Sequence, residues 1–281
     1  MSLQSIGTVF VIAQVVKKLL TIIFIFALLG CDKNDHFIIF STSNDIQLGQ
    51  QVKAEIAADP SIKILPSSQY PEVYSFLNHI RDGILNSGKV AYKEEFAWEV
   101  YVIDNDSTLN AFATPGGYIY VYTGLIKYLD HADDLAGVMG HEMAHADLRH
   151  TVRNLQKSYG VQVLLAVALG RDPGTLAQIA AQIAGQLAGL KFSREYETEA
   201  DSQSVEYLAA TEYACNGTAH FFEKLTAAGS VGQPPEFLST HPNPDNRIEN
   251  INSKAQSLGC DTTLAENTDY EAVKASLDNA L

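Results

Sequence analysis

The 281-residue sequence predicts an α+β fold, mainly helical with one small sheet, and three observations carry that reading. Apolar residues recur at helical spacing over most of the chain. Strand-like composition is confined to residues 96–103 and 118–122. An apolar fraction of 46%, with 13 Tyr and 12 Phe, supplies material for a substantial core, and the length allows one large or two ordinary domains.

A surface helix is expected over 44–58, started by Ser43 or Asn44 and ended by Asp59-Pro60, and a second over about 70–85. Residues 96–103 follow as a strand in which Val, Tyr and Trp alternate with other residues. The stretch from Ala111 through Pro115-Gly116-Gly117 to Tyr122 reads as a turn entering a strand, and Pro115 favours a sheet edge over a central position. Helices are then expected over 124–129, 132–151, 160–169, 175–190, 193–210 and 218–228, and a last one from near Pro244. Residues after about 262 are polar and acidic and read as a loosely packed tail.

Residues 161–190 are rich in Ala, Leu, Val, Gln and Gly, with Arg171 and Asp172 the only charges. Each apolar piece is shorter than a membrane-spanning helix. They suit core helices of a helical subdomain, or else a mobile cover over a nearby site or a membrane-facing patch.

With 33 acidic and 19 basic side chains the formal charge is −14. No basic surplus exists to neutralise a phosphate backbone, so nucleic acid is not an expected partner. Neither a glycine-rich phosphate loop nor a repeat of 20 to 50 residues is visible.

At the start, Lys17 and Lys18 precede the apolar run 19–29, which closes as Leu28-Leu29-Gly30-Cys31. This pattern reads as an export signal. Joining residues 10–29 into one membrane helix would bury two lysines at about 2.5–3.5 kcal/mol each. A Leu, a small residue and Cys after such a run resembles the bacterial lipobox, which implies lipidation of Cys31. Cleavage there would leave 17 basic against 33 acidic groups, a charge of −16. The protein is expected on the periplasmic side of the bacterial envelope, lipid-anchored, with Asp32 after Cys31 leaving inner against outer membrane open. Cys215 and Cys260 remain as the only other thiols, and an oxidising compartment favours pairing them.

His141-Glu142-Met143-Ala144-His145 is the strongest chemical signal. In a helix the two histidines lie four residues apart on one face and can share a zinc ion. Glu142 then stands beside the metal, where a carboxylate can take a proton from water acidified to a pKa of about 7. Catalytic zinc needs a third protein ligand. His150, about 140° round a continuous helix from His145, is better suited to a supporting role. Among the three glutamates of residues 193–201, Glu197 shares a face with Asp201. Glu195 and Glu199 lie about 200° away and read as solvated face charges. Glu197 is therefore the candidate ligand, with Asp201 orienting a ligand or anchoring its helix.

These residues carry a resemblance. His141–His145, the Ser-Arg-x-x-Glu-x-x-Ala-Asp pattern of Ser193 to Asp201, Asn110-Ala-Phe-Ala-Thr-Pro-Gly-Gly117 and Thr240-His241-Pro242 resemble the HtpX-like and CAAX-prenyl-type zinc metalloproteases. The likeness is greatest to their periplasmic lipoprotein branch and runs from about residue 46 to 251. It implies a zincin-like domain with the sheet beside the active-site helix and one zinc per chain on His141, His145 and Glu197. Glu142 is then the general base, and His241 lies near the metal, either occupying the water position or steadying the oxyanion. The organisation implied is a leader over 1–30, a tether over 31–43, a protease domain over 44–261 and a tail over 262–281. Some longer relatives carry helical repeats after the protease domain, which this chain is expected to lack.

Asn110, Gly116, Gly117 and Tyr118 then stand as a substrate edge. The glycines allow close backbone approach, and an edge strand over 118–122 could pair with an extended or unfolded polypeptide. The expected function is hydrolysis of peptide bonds in misfolded or envelope proteins. A non-catalytic chaperone or assembly factor could use the same cleft without needing Glu142. A zinc aminopeptidase is disfavoured because the Gly-x-Met-Glu-Asn amine anchor is absent.

Overall fold

The computed structural model describes residues 33–34, 36, 38–185, 191–227, 236–242, 246–265 and 268–278. The leader run and Cys31 lie outside the described residues. Phe40–Leu281 forms one unit, mainly helical with a three-stranded sheet.

Helix α1 (Thr42–Ala58) starts two residues before the expected 44 because Ser41, rather than Ser43 or Asn44, caps it. The Ser41 hydroxyl accepts from the Asn44 amide while the Asn44 side chain accepts from the Ser41 amide. Leu48, Val52 and Ile56 form its buried stripe. Helix α2 (Pro71–Asn86) opens on proline at its first position and buries Val73, Leu77, Ile80 and Ile84 at helical spacing.

The sheet comprises β1 (Glu99–Ile103), β2 (Ala111–Thr114) and β3 (Tyr118–Tyr122) in the order β1-β3-β2. β1 runs parallel to β3, pairing Glu99 with Tyr118 and Ile103 with Tyr122, and β2 runs antiparallel to β3. This corrects the expected edge: Tyr118 to Tyr122 form the central strand, and β2 is the edge. Pro115 sits in the Thr114–Gly117 turn, outside both strands, so its missing amide does not constrain β3. Gly116 and Gly117, at φ 78° and 83°, make that turn and pack it against neighbouring backbone. A Cβ on Gly116 would lie 3.2 Å from Ile46 Cα, and one on Gly117 3.0 Å from Trp98 N. Their small size serves the turn's own packing.

After α3 (Thr123–Tyr128) comes α4 (Ala132–Asp147), whose 16 residues are all buried. β2, α2, α8 (Arg194–Leu208) and α9 (Gly217–Ala227) pack around it. Gly137 permits the close α9 contact, since a Cβ there would meet Thr218 N at 2.2 Å. Buried carboxylates pin both ends of α4. Asp133 accepts from the amides of Ala214 and Ala265, and Asp147 from those of Ala91 and Tyr92 and from the Tyr207 hydroxyl.

The single helix expected over 132–151 is two. Arg149 adopts a left-handed conformation, φ 56°, and α5 (His150–Tyr159) leaves in a new direction. Arg149 is held there by a bidentate ion pair with Asp45 of α1 and by donation to the Phe40 carbonyl.

Helices α6 (Val161–Ala168) and α7 (Pro173–Gly185) carry the apolar segment. α7 packs on α1, burying Leu176, Ile179 and Ile183, while Val161 and Leu169 of the preceding piece are more than half exposed. Residues 186–190 lie outside the described residues. Among the described residues, no helix is long and apolar enough to cross a membrane.

Helices α10 (Glu236–Thr240) and α11 (Arg247–Leu258) follow, and residues 243–245, where the last helix was expected to begin, are outside the description. Cys215 and Cys260 form a disulfide. The expected loose tail is instead a helix, α12 (Thr268–Asp278). Tyr270, Val273 and Leu277 are buried, and the Tyr270 hydroxyl donates to the Ile126 carbonyl.

Candidate metal centre and active site

The i, i+4 spacing places His141 and His145 on one face of α4, with Nε2 atoms 3.0 Å apart. Glu197, in the first turn of α8, points at the same spot: Oε1 lies 3.6 Å from His145 Nε2 and Oε2 lies 3.4 Å from His141 Nε2. His241, just beyond α10, closes the group with Nδ1 3.3 Å from His141 Nε2 and 3.2 Å from Glu197 Oε1. All four side chains are buried, and one ligand atom of each lies within 4.8 Å of the others.

This arrangement fits zinc. Three imidazole nitrogens and a carboxylate are the donors zinc takes, and a tetrahedron with zinc–nitrogen distances of about 2.0–2.1 Å has edges of about 3.3–3.4 Å. Glu197 Oε2 forms a buried ion pair with Arg247 Nη2 at 3.1 Å.

Supporting residues fix the ligands. Asp201, one turn along α8 from Glu197, sits 2.9 Å from His141 Nδ1 and is itself clamped by Arg247, whose Nε and Nη2 donate at 2.6 and 2.7 Å. Burial alone would raise Glu197, yet the imidazoles of His241 and His141 hold its carboxyl far below the usual range. Burial drives the His145 ring well below its ordinary value, with His141 adding to the effect. Burial pushes the Glu142 carboxyl up to about 7, with the neighbouring Glu197 adding to the rise. The Ala113 amide of edge strand β2 hydrogen bonds to Glu142, while Glu142 Oε1 has no hydrogen-bond partner and lies 3.4 Å from His241 Nε2.

Glu199 is no solvated face charge. It accepts from Arg153 and pairs with His150, whose Nδ1 comes within 2.8 Å of His145 Nδ1. The helix break at Arg149 brings His150 back under His145, a placement that a continuous helix forbids. Asn110 is buried, and its Oδ1 accepts from the Ala111 amide. Tyr118, Gly116 and Gly117 belong to the central strand and its turn; the edge that reaches the centre is β2.

Three neighbours of the centre had no place in the motif reading. Phe192 stacks on His145 with ring centroids 4.0 Å apart, and Phe237 stacks on His241 at 4.3 Å. Arg247 lies over the Phe222 ring at 3.9 Å while holding Asp201. Phe237 and Arg247 sit four residues before and six after His241, so the loop motif marked their position but not their direction.

A model of peptidase family M48 matches residues 78–255. The chain is 28% identical over 206 residues to the mitochondrial metalloendopeptidase OMA1 of Schizosaccharomyces pombe, covering 73% of this chain and 59% of that protein. It is 30% identical over 183 residues to a putative beta-barrel assembly-enhancing protease of Vibrio cholerae, covering 61% and 37%. With OMA1 of Saccharomyces cerevisiae it shares 33% over 163 residues, covering 55% and 46%. The chain thus spans from about a third to three fifths of the length of these relatives. All four residues of the buried cluster fall inside the family match, and the chain belongs to peptidase family M48.

Proposed function

We propose that the protein is a lipid-anchored endopeptidase of the bacterial envelope, of the HtpX-like lipoprotein kind, that cuts misfolded or envelope proteins on the periplasmic side. Residues 1–30 are its leader, Cys31 its lipidated first residue, 31–43 its tether and the rest its catalytic unit. The oxidising compartment accords with the Cys215–Cys260 bond. The relatives include proteins named as beta-barrel assembly-enhancing proteases, which is in keeping with envelope clients.

The observation that carries the catalytic reading is Glu142, buried beside the four-residue cluster with one carboxylate oxygen held by β2 and the other, without a hydrogen bond, facing His241 Nε2 at 3.4 Å. His141, His145 and Glu197 would hold the zinc. Bound zinc supplies a Lewis acid that acidifies water to a pKa of about 7 and polarises the scissile carbonyl. Glu142 Oε1 takes the proton of the attacking water and returns it to the leaving amine. Asp201, fixed by Arg247, keeps His141 Nδ1 protonated so that Nε2 is free to coordinate. The outer edge of β2 supplies backbone groups for an extended substrate strand, a sequence-tolerant contact suited to unfolded chains.

With zinc bound, His241 would be a further ligand that keeps the resting enzyme slow. Its Nδ1 stands among the ligand atoms, and its ring is packed on Phe237. A substrate or membrane signal activates the enzyme only by binding the open arrangement better.

Zinc content and casein hydrolysis by the purified protein, together with intact mass of the exported form, test this reading. Stoichiometric zinc, proteolysis and a diacylglycerol-modified Cys31 are expected. A zinc-loaded protein without proteolysis under any condition would favour a client-holding role, and an unlipidated soluble protein would remove the anchor.

A further inference from the structure

The two helical ligands are backed differently. His141 meets a carboxylate directly, Asp201 clamped by Arg247. His145 meets a second imidazole first, and the carboxylate and arginine stand behind it. Its Nδ1 lies 2.8 Å from His150 Nδ1; His150 Nε2 lies 3.0 Å from Glu199 Oε2; and Arg153 donates to Glu199 at 2.6 and 3.3 Å.

Two facing ring nitrogens at that distance share one proton. His145 Nε2 is the atom within the ligand cluster, 3.0 Å from His141 Nε2, so it carries no proton when it coordinates and the His145 proton sits on Nδ1. His150 Nδ1 must then be bare and its proton must sit on Nε2, where the Glu199 carboxylate faces it. Each link fixes the next. His150 is buried and lies flat on Tyr196, ring centroids 4.5 Å apart and planes 4° from parallel, and Arg153 lies over the Tyr196 ring at 4.2 Å. These contacts leave His150 little rotational freedom.

We propose that His150 and Glu199 are positioning residues for the zinc site: Glu199 fixes the tautomer of His150, and His150 in turn fixes the tautomer and orientation of His145. This rests on the zinc reading of His141, His145 and Glu197. The αL turn at Arg149 is what allows it, because only a chain reversal directly after α4 can return a residue five positions on to the back of its own ligand.

The test is zinc affinity of the full chain by chelator competition, with the visible absorption of the cobalt-substituted protein as a spectroscopic signature. His150→Phe keeps the ring on Tyr196 and removes the acceptor; it is expected to weaken zinc binding about 10- to 100-fold and to change the cobalt spectrum. His150→Asn, which places an acceptor oxygen near the Nδ1 position, is expected to recover most of that loss. Glu199→Gln is expected to weaken binding several-fold. Wild-type affinity and spectrum in His150→Phe would overturn the proposal, as would an Asn variant no better than Phe. Should His150→Phe fail to fold, Glu199→Gln and His150→Asn decide, and a wild-type affinity in the former overturns it. Failure of the zinc reading itself looks different: the unaltered protein would then bind no zinc and His141→Ala would change nothing.

Discussion

His241 stands between Glu197 and Glu142: its Nδ1 is 3.2 Å from Glu197 Oε1 and its Nε2 is 3.4 Å from Glu142 Oε1. One ring thus touches both the proposed ligand and the proposed base. A residue so placed would keep water from the metal, and it faces the carboxylate that would receive the water's proton. His241→Ala is therefore expected to raise basal casein hydrolysis several-fold at unchanged zinc content. A role in steadying the oxyanion would instead make the same variant slower.

Glu197 and Glu199, two residues apart on α8, are expected to separate by degree. Glu197→Ala removes a ligand and should lower zinc affinity roughly 100-fold or more, whereas Glu199→Gln should cost roughly an order of magnitude less than that. Chelator competition on the two variants checks the ranking, and equal losses would contradict it.

Asp134, near the start of α4, is buried with one oxygen accepting from the His131 amide, the other lacking a hydrogen-bond partner and 3.7 Å from His220 Nδ1, and Asp133 next to it. Burial raises its carboxyl above the ordinary 3.8. The folded state therefore holds this proton more tightly than the unfolded chain does. Its contribution to stability is fully present below pH 3.8 and is lost as the pH rises through the raised value. Asp134→Asn should therefore melt at a higher temperature than the parent at pH 7. The gain should vanish toward pH 3.8. Melting curves across that range measure it, and a variant less stable at pH 7 would contradict the assignment.

The Cys215–Cys260 bond closes a loop of 45 residues. A chain-entropy treatment gives such a closure about 4 kcal/mol. Replacing both cysteines by Ala should lower denaturant stability by about that amount or somewhat less. Alkylation of the native protein should find both thiols blocked before reduction and free afterwards.

The ligand helix was readable because its chemistry is local. The spacing of His141 and His145 and the shared face of Glu197 and Asp201 follow from helical geometry, and both pairs occupy one helix each. What the sequence did not disclose is non-local. Nothing in residues 132–151 breaks a helical pattern; the break at Arg149 is imposed by Asp45, 104 residues earlier in the chain. Glu199 faces away from Glu197 on α8, as helical geometry requires, but α5 turns back to meet it with His150 and Arg153. The strand over 118–122 became central because β1, about twenty residues upstream, pairs with it in parallel, a pairing that period-two alternation cannot foretell. In α12 the signal was present in Tyr270, Val273 and Leu277, three apolar residues on one face, but it was diluted by the acidic and polar residues around them.

Glu142 is proposed to move the proton for a zinc held by His141, His145 and Glu197. Glu142→Gln preserves the size of the side chain and removes its basicity, so zinc content and casein hydrolysis measured together on this variant test it most directly. Stoichiometric zinc, as in the unaltered enzyme, is expected, with hydrolysis reduced at least about 1000-fold. Hydrolysis at the rate of the unaltered enzyme, with zinc in place, would contradict it.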